Sequence, residues 1–152
     1  MHVDSVPALA DLEGRDLGAT QWRELPQSQI DAFAQATGDH QWIHVDVERA
    51  ASDSPFGGTI AHGYLTLALA PVLLPELIEV GGCRQVINAG IDRMRLKQPV
   101  PAGSRIRLAA QVKKVRLIKG HTAHVTLSLR FEIEGEKRPA CIADAIYVYY
   151  GK

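Results

Sequence analysis

Gly63-Tyr64-Leu65-Thr66-Leu67-Ala68-Leu69-Ala70-Pro71-Val72-Leu73-Leu74 reads as a helix that is apolar on nearly every side, through Leu65, Leu67, Ala68, Leu69, Val72 and Leu73. A helix without a wet face has to be wrapped by another layer. The chain that follows supplies one. After Gly81-Gly82 the pattern changes to strands over 85–96, 104–118, 121–134 and 138–150, separated by Pro99-Val100-Pro101-Ala102-Gly103 and by hairpin turns at Lys119-Gly120 and Glu134-Gly135-Glu136. In the third of these, Ala123, Val125, Leu127, Leu129, Phe131 and Ile133 alternate with His124, Thr126, Ser128, Arg130, Glu132 and Glu134. Period-two alternation of this kind belongs to an antiparallel sheet with one buried face. A buried helix followed by consecutive long strands gives an α+β fold in which the sheet curls around the helix.

Upstream of the helix, apolar Val6, Leu9, Leu12 and Leu17 stand among acids and suit a short helix or an arm, residues 1–18, lying on the domain. Residues 20–25 read as a first strand, and Pro26 marks the turn into a helix carrying Ile30, Phe33, Ala34 and Thr37, with Ser28 or Gln27 near its cap and Gly38 as its stop. Residues 39–61 then form an irregular stretch interrupted by a small helical piece around 47–51. Connections of that length in a compact domain are usually functional.

With 152 residues the chain is long enough to bury a core as a single domain, 1–152, without metal or disulfide staples. Lys+Arg and Asp+Glu both number 17 and alternate without basic blocks, which argues against nucleic acid and anionic membranes as partners. Cys83 and Cys141 share no ligand spacing and read as free thiols. The N-terminus lacks the apolar core of a secretory signal, and the longest apolar run, 64–74, is too short to cross a bilayer. These features point to a cytoplasmic protein.

His40, His44 and His62 gather in the irregular stretch with Asp39, Asp46 and Asp53. Each has a bland explanation: Asp39 could cap the turn after Gly38, His44 could be a satisfied core imidazole, and His62 could simply open the buried helix. A metal site is not expected, because the three histidines do not fall on one element as zinc ligands on a helix would and no cysteine assists. A carboxylate five positions ahead of an imidazole on a short turn can instead bring both groups to one water molecule and move its protons. The loop Pro55-Phe56-Gly57-Gly58-Thr59-Ile60-Ala61-His62-Gly63 lets backbone approach a ligand and ends on a helix N-terminus, whose unpaired N–H groups suit a developing oxyanion.

The run Gly38-Asp39-His40-Gln41-Trp42-Ile43-His44-Val45-Asp46, followed by Phe56-Gly57-Gly58-Thr59-Ile60-Ala61-His62-Gly63, resembles the MaoC-like dehydratases, which include the (R)-specific enoyl-CoA hydratases (hydratase 2) and the nodulation protein N-like branch. The resemblance runs from about Trp22 to Tyr150. It implies a single hot-dog domain, a homodimer joined edge to edge, and reversible hydration of a trans-2-enoyl thioester on coenzyme A or acyl carrier protein, without a cofactor. Carried over residue by residue, it makes Asp39 and His44 the pair that activates water and the Gly63 N–H the donor to the thioester carbonyl. Expected substrate contacts are Gln41, Trp42, Phe56, Gly57, Gly58, Thr59, Ile60, His62, Tyr64, Asn88 and Gly90. Two positions depart from the family pattern: many hydratases have Asn-Pro where this chain has Gln41-Trp42, as the nodulation branch does not, and some have a serine near Pro71.

Two other functions compete for the same fold. Hot-dog thioesterases usually place a carboxylate on the buried helix, and 63–74 has none. A non-catalytic acyl-thioester or lipid-binding module would leave Asp39 and His44 with structural roles only.

Overall fold

The computed structural model describes residues 1–119 and 121–152; Gly120, half of the expected Lys119-Gly120 turn, lies outside the described residues. In chain order the elements are β1 (His2–Val3), a 3₁₀ turn (Pro7–Leu12), β2 (Asp16–Ala19), β3 (Arg23–Glu24), α1 (Gln27–Thr37), α2 (Trp42–Val45), α3 (Val47–Asp53), α4 (Gly63–Ala68), α5 (Ala70–Leu77), β4 (Glu79–Val80), β5 (Cys83–Leu96), β6 (Arg105–Ile118), β7 (Thr122–Ile133) and β8 (Cys141–Gly151).

Four long strands and two short ones make an antiparallel sheet in the order β2-β6-β7-β8-β5, with β3 also paired to β6. Its inner face is the alternating set read from the sequence: Ala123, Val125, Leu127, Leu129, Phe131 and Ile133 are all buried. They pack on Leu65, Leu73, Leu74 and Leu77 of α4 and α5 in one apolar core. Each such side chain is worth roughly 1.5–3 kcal/mol on leaving water, so the helix and sheet hold each other. This is the hot-dog arrangement.

The helix is not buried all round, as its composition suggests. Tyr64, Ala68, Pro71, Val72, Pro75 and Glu76 form a helical stripe open to solvent, with Tyr64 71% and Val72 61% exposed. Apolar composition could not reveal which side the sheet covers. The helix also runs further than expected, to Leu77, and is interrupted at Leu69. Pro71 and Pro75 lack the N–H that a continuous helix would use there.

Other boundaries shift for identifiable reasons. Of the first strand expected over 20–25 only Arg23–Glu24 forms, and a second short piece, Asp16–Ala19, lies upstream of it, where Gly18 takes a positive φ of 80° and the register slips between Asp16 and Gly18. Helix α1 starts behind Pro26 without a side-chain cap and stops, as read, at Gly38 with φ 81°. Residues 138–140 are loop, because their hydrogen bonds go sideways: the Ala140 carbonyl accepts from the N–H of Lys97, and the Gln98 Nε2 donates to the Arg138 carbonyl. The N-terminal arm is part of the core, with Val3, Val6 and Leu9 buried and β1 paired in parallel to β4. Cys141 is buried, Cys83 half-buried, and both are free. No helix among the described residues is long and apolar enough to cross a membrane.

Candidate active site

The stretch 39–61 contains one more helix than its sequence suggests. Helix α2 occupies Trp42–Val45, and Asp46 then caps α3 by accepting from the Arg49 N–H at 3.0 Å. Two such short turns carry His44 inward, where it is 7% exposed.

His44 is held from two directions. Its Nδ1 lies 2.6 Å from the Ile60 carbonyl oxygen; a carbonyl can only accept, so Nδ1 carries a proton, and in the neutral imidazole Nε2 is then the nitrogen with the lone pair. Its own carbonyl accepts from Gln27 Nε2 at 2.7 Å, and the Gln27 Oε1 in turn accepts from Thr59 Oγ1 at 2.5 Å. Gln27 was read from the sequence only as a possible helix cap. Its part in seating His44 depends on a contact 17 residues away, which no local pattern encodes.

His62 sits behind this pair, 3% exposed. Its ring stacks on that of His44, with centroids 3.9 Å apart and planes 26° from parallel, and Phe33 packs at 4.9 Å. Its Nε2 lies 2.9 Å from the Asp39 backbone carbonyl, and 3.9 Å from Asp39 Oδ2. The Asp39 side chain is half exposed, and its Oδ1 meets the Gln41 N–H at 3.4 Å, so the turn-capping role is present but weak.

Asp39, His44 and His62 each offer a ligand atom within 4.8 Å of the others, so the fold gathers from a loop, α2 and the head of α4 what the sequence spacing keeps apart. A metal ion about 2.0–2.1 Å from a nitrogen of each imidazole is held best near both ring planes, and rings stacked 26° from parallel with centroids 3.9 Å apart disfavour that placement. A hydrogen-bonded water, at about 2.7–3.2 Å, has a looser requirement.

A cavity of about 370 Å³ opens beside His44, lined also by Ile60, Gly63, Thr66, Leu96 and Lys97. Gly63 begins α4, and its N–H is among those that a helix start leaves without an internal partner. A Cβ at Gly63 would come within 2.2 Å of the Leu96 Cδ1. Leu96 and Thr66 were not expected from the sequence: Thr66 is a buried polar residue on α4, and Leu96, at the end of β5, comes to the cavity only because the folded chain sets it against Gly63.

The remaining expected contacts divide. Ile60 serves through its carbonyl, and Thr59 is buried with its hydroxyl on Gln27. Trp42 is half-buried under the Arg49 guanidinium, 4.3 Å from the ring centroid, and Gln41 is exposed at the start of α2. Gly57 takes a positive φ of 73° in the turn that leads to half-buried Gly58, while Phe56 and Tyr64 face solvent. Asn88 and Gly90 lie on β5 away from His44, Asn88 lining a separate cavity of about 670 Å³ against Pro71, Pro75 and Tyr147.

The model of the MaoC like domain family matches residues 9–132 of the chain. The chain is 44% identical over 146 residues to 3-hydroxyacyl-thioester dehydratase Z of Mycobacterium tuberculosis H37Rv, covering 96% of each. It is 41% identical to nodulation protein N of Rhizobium meliloti, covering 97% of this chain and 92% of that one. Among solved structures it superposes on the unliganded R-hydratase PhaJ1 of Pseudomonas aeruginosa with a TM-score of 0.73 at 22% identity, over 92% of this chain and 83% of that chain.

Proposed function

The chain belongs to the MaoC-like dehydratase family, and from that membership we propose that it is a lyase that reversibly adds water to a trans-2-enoyl thioester to give the (R)-3-hydroxyacyl thioester. The observation that carries this reading is the state of His44: Nδ1 is committed to the Ile60 carbonyl, which leaves Nε2 as a base beside Asp39 and the cavity that Gly63 heads.

In the proposed reaction the thioester carbonyl accepts from the Gly63 N–H, and a water is held between Asp39 and His44. His44 Nε2 takes one proton as the water oxygen bonds to C3. The electron pair of the double bond moves onto the thioester oxygen, where the Gly63 N–H and the helix start oppose the negative charge. The pair then returns, and C2 takes the proton from His44. Water is thereby divided between C3 and C2, His44 is restored, and the scheme needs no cofactor. The carrier is coenzyme A or acyl carrier protein.

A homodimer is part of the proposal. Strand β5 ends the sheet with Val86, Ile87, Ile91 and Leu96 between 40% and 54% exposed, and such an edge is safest paired with a second copy.

A thioesterase reading is weaker. The helix does contain Glu76, in its last turn beyond residues 63–74, but that carboxylate is engaged by Arg23 near the opposite end from Gly63. Incubation with crotonyl-CoA separates the possibilities: loss of enoyl absorbance with formation of the (R)-3-hydroxy product is expected. Release of free thiol would favour hydrolysis, an (S) product would overturn the stereochemical assignment, and binding without turnover would favour a non-catalytic module.

A further inference from the structure

We infer that His62 is the positioning residue of this site, fixing Asp39 and His44 relative to the Gly63 N–H; the inference rests on the hydratase reading above. One ring touches all three parts. Its Nε2–H donates to the backbone carbonyl of Asp39 at 2.9 Å, which ties the loop bearing the carboxylate to the head of α4. Its face lies on the His44 ring at 3.9 Å, and Phe33 packs against it, so His44 cannot tilt that way without displacing a packed aromatic. Its own peptide leads directly into Gly63.

The other ring nitrogen of His62 separates this from ordinary packing. Nδ1 is fully buried and has no hydrogen-bond partner among the described residues. A buried acceptor left unsatisfied costs about 1–3 kcal/mol, and an apolar ring of similar size would avoid that cost at a purely structural position. What an apolar ring cannot do is donate to the Asp39 carbonyl. The imidazole at this position is therefore explained by the one bond it makes, and that bond acts on the placement of a reacting group. A displacement of about 1 Å in such a constellation can cost on the order of 10²-fold in rate.

The test compares His62→Phe, His62→Gln and His62→Asn as folded proteins in crotonyl-CoA hydration. Phe keeps a ring and loses the donor; Gln places an amide N–H near the lost Nε2–H; Asn is polar but too short to reach. The expected result is a fall in kcat of about 10–100-fold for Phe and Asn with KM within about twofold, and a kcat within about fivefold of wild type for Gln. Wild-type kcat in folded His62→Phe, a loss confined to KM, or a Gln variant no better than Asn would overturn the assignment. If Phe does not fold, the Gln and Asn pair decides it alone. If the wild-type protein turns over no enoyl thioester, the hydratase reading itself fails. Imidazole ¹⁵N spectra then still test the geometry: His44 should keep a fixed Nδ1–H signal in His62→Gln and lose it to averaging in His62→Asn, and equal spectra in the two would overturn the positioning role.

Discussion

The peptide of Ile60 is tied on both sides to the helix that carries His44: its carbonyl meets the His44 imidazole Nδ1 at 2.6 Å, while its N–H donates to the carbonyl of the preceding residue, Ile43, at 3.0 Å. The strand-like entry to α4 and the short helix α2 thus move as one piece, and the imidazole's proton is assigned by the backbone that precedes Gly63.

If His44 Nε2 is the base, His44→Gln and Asp39→Asn should each lower hydration by roughly 10²–10⁴-fold. Because both would hold the same water, the double variant should be little worse than either single one. Steady-state rates on variants whose circular dichroism and Tm match wild type check this. Near-wild-type rates in both would remove the catalytic assignment, and lost activity with lost folding would return His44 to a core role.

Gly63→Ala should cost about 10²–10³-fold in kcat, the usual consequence of spoiling one oxyanion donor. The contact responsible is specific: the new methyl would press on Leu96 Cδ1 at 2.2 Å, the far end of a flexible and half-exposed side chain. The fold should therefore survive. Adding Leu96→Ala gives the methyl room, so it should restore stability lost to that clash; if it also restores full turnover, the damage came from Leu96 entering the cavity and not from the N–H.

The sheet was legible because its signal is periodic: every residue of the inner set from Ala123 to Ile133 is where alternation puts it. That Asp39 would lie near His44, and His44 near Gly63, was legible through a spaced motif and a glycine loop. What stayed hidden depends on contacts distant in sequence. Gln27 reaches His44 and Thr59 across 17 and 32 residues, and Leu96 reaches Gly63 only because the end of β5 comes to the head of α4 in the folded chain. The exposed stripe of the helix was hidden for another reason: Tyr64, Val72 and the two prolines are as apolar as its buried side, so composition carries no phase.

Gln27 gives a second test of how His44 is seated. Gln27→Leu removes the donor to the His44 carbonyl and the acceptor of the Thr59 hydroxyl together. Loss of buried hydrogen bonds of this kind costs about 1–3 kcal/mol, so a lower denaturation midpoint with unchanged slope is expected, along with reduced kcat. Unchanged stability would show that water replaces Gln27 at no cost.

The open edge makes the assembly testable. Ile87 and Ile91 are each 40% exposed on β5, and Ile87→Lys with Ile91→Lys should turn a dimer into a monomer by placing charges along that edge. Sedimentation at micromolar concentration reads the outcome. A wild-type protein that already sediments as a monomer would remove the dimer from the proposal.

On the outer face of the sheet, Asp144 is 8% exposed and accepts from Arg93 Nη2 at 2.8 Å, from Ser128 Oγ at 2.9 Å and from Lys113. Burial alone pushes its carboxyl up, but the hydrogen bonds from Lys113, Arg93 and Ser128 outweigh it and hold the pKa down from 3.8 to about 2. A carboxyl whose pKa is lower in the folded protein than in the unfolded chain binds protons more readily after unfolding, so its stabilising contribution is full above 3.8 and is lost as pH falls toward about 2. Asp144→Asn lacks that titration while keeping an acceptor for Ser128 and Arg93. At neutral pH the variant should melt at a lower temperature, since Arg93 and Lys113 face no charge. On acidification the gap between the two melting temperatures should shrink and close near pH 2. Other carboxylates titrate in both proteins alike, so the difference isolates Asp144. A gap that stays constant from pH 5 to about 2 would mean that the cations do not hold this carboxylate, and the network on the outer face would then contribute packing and not charge.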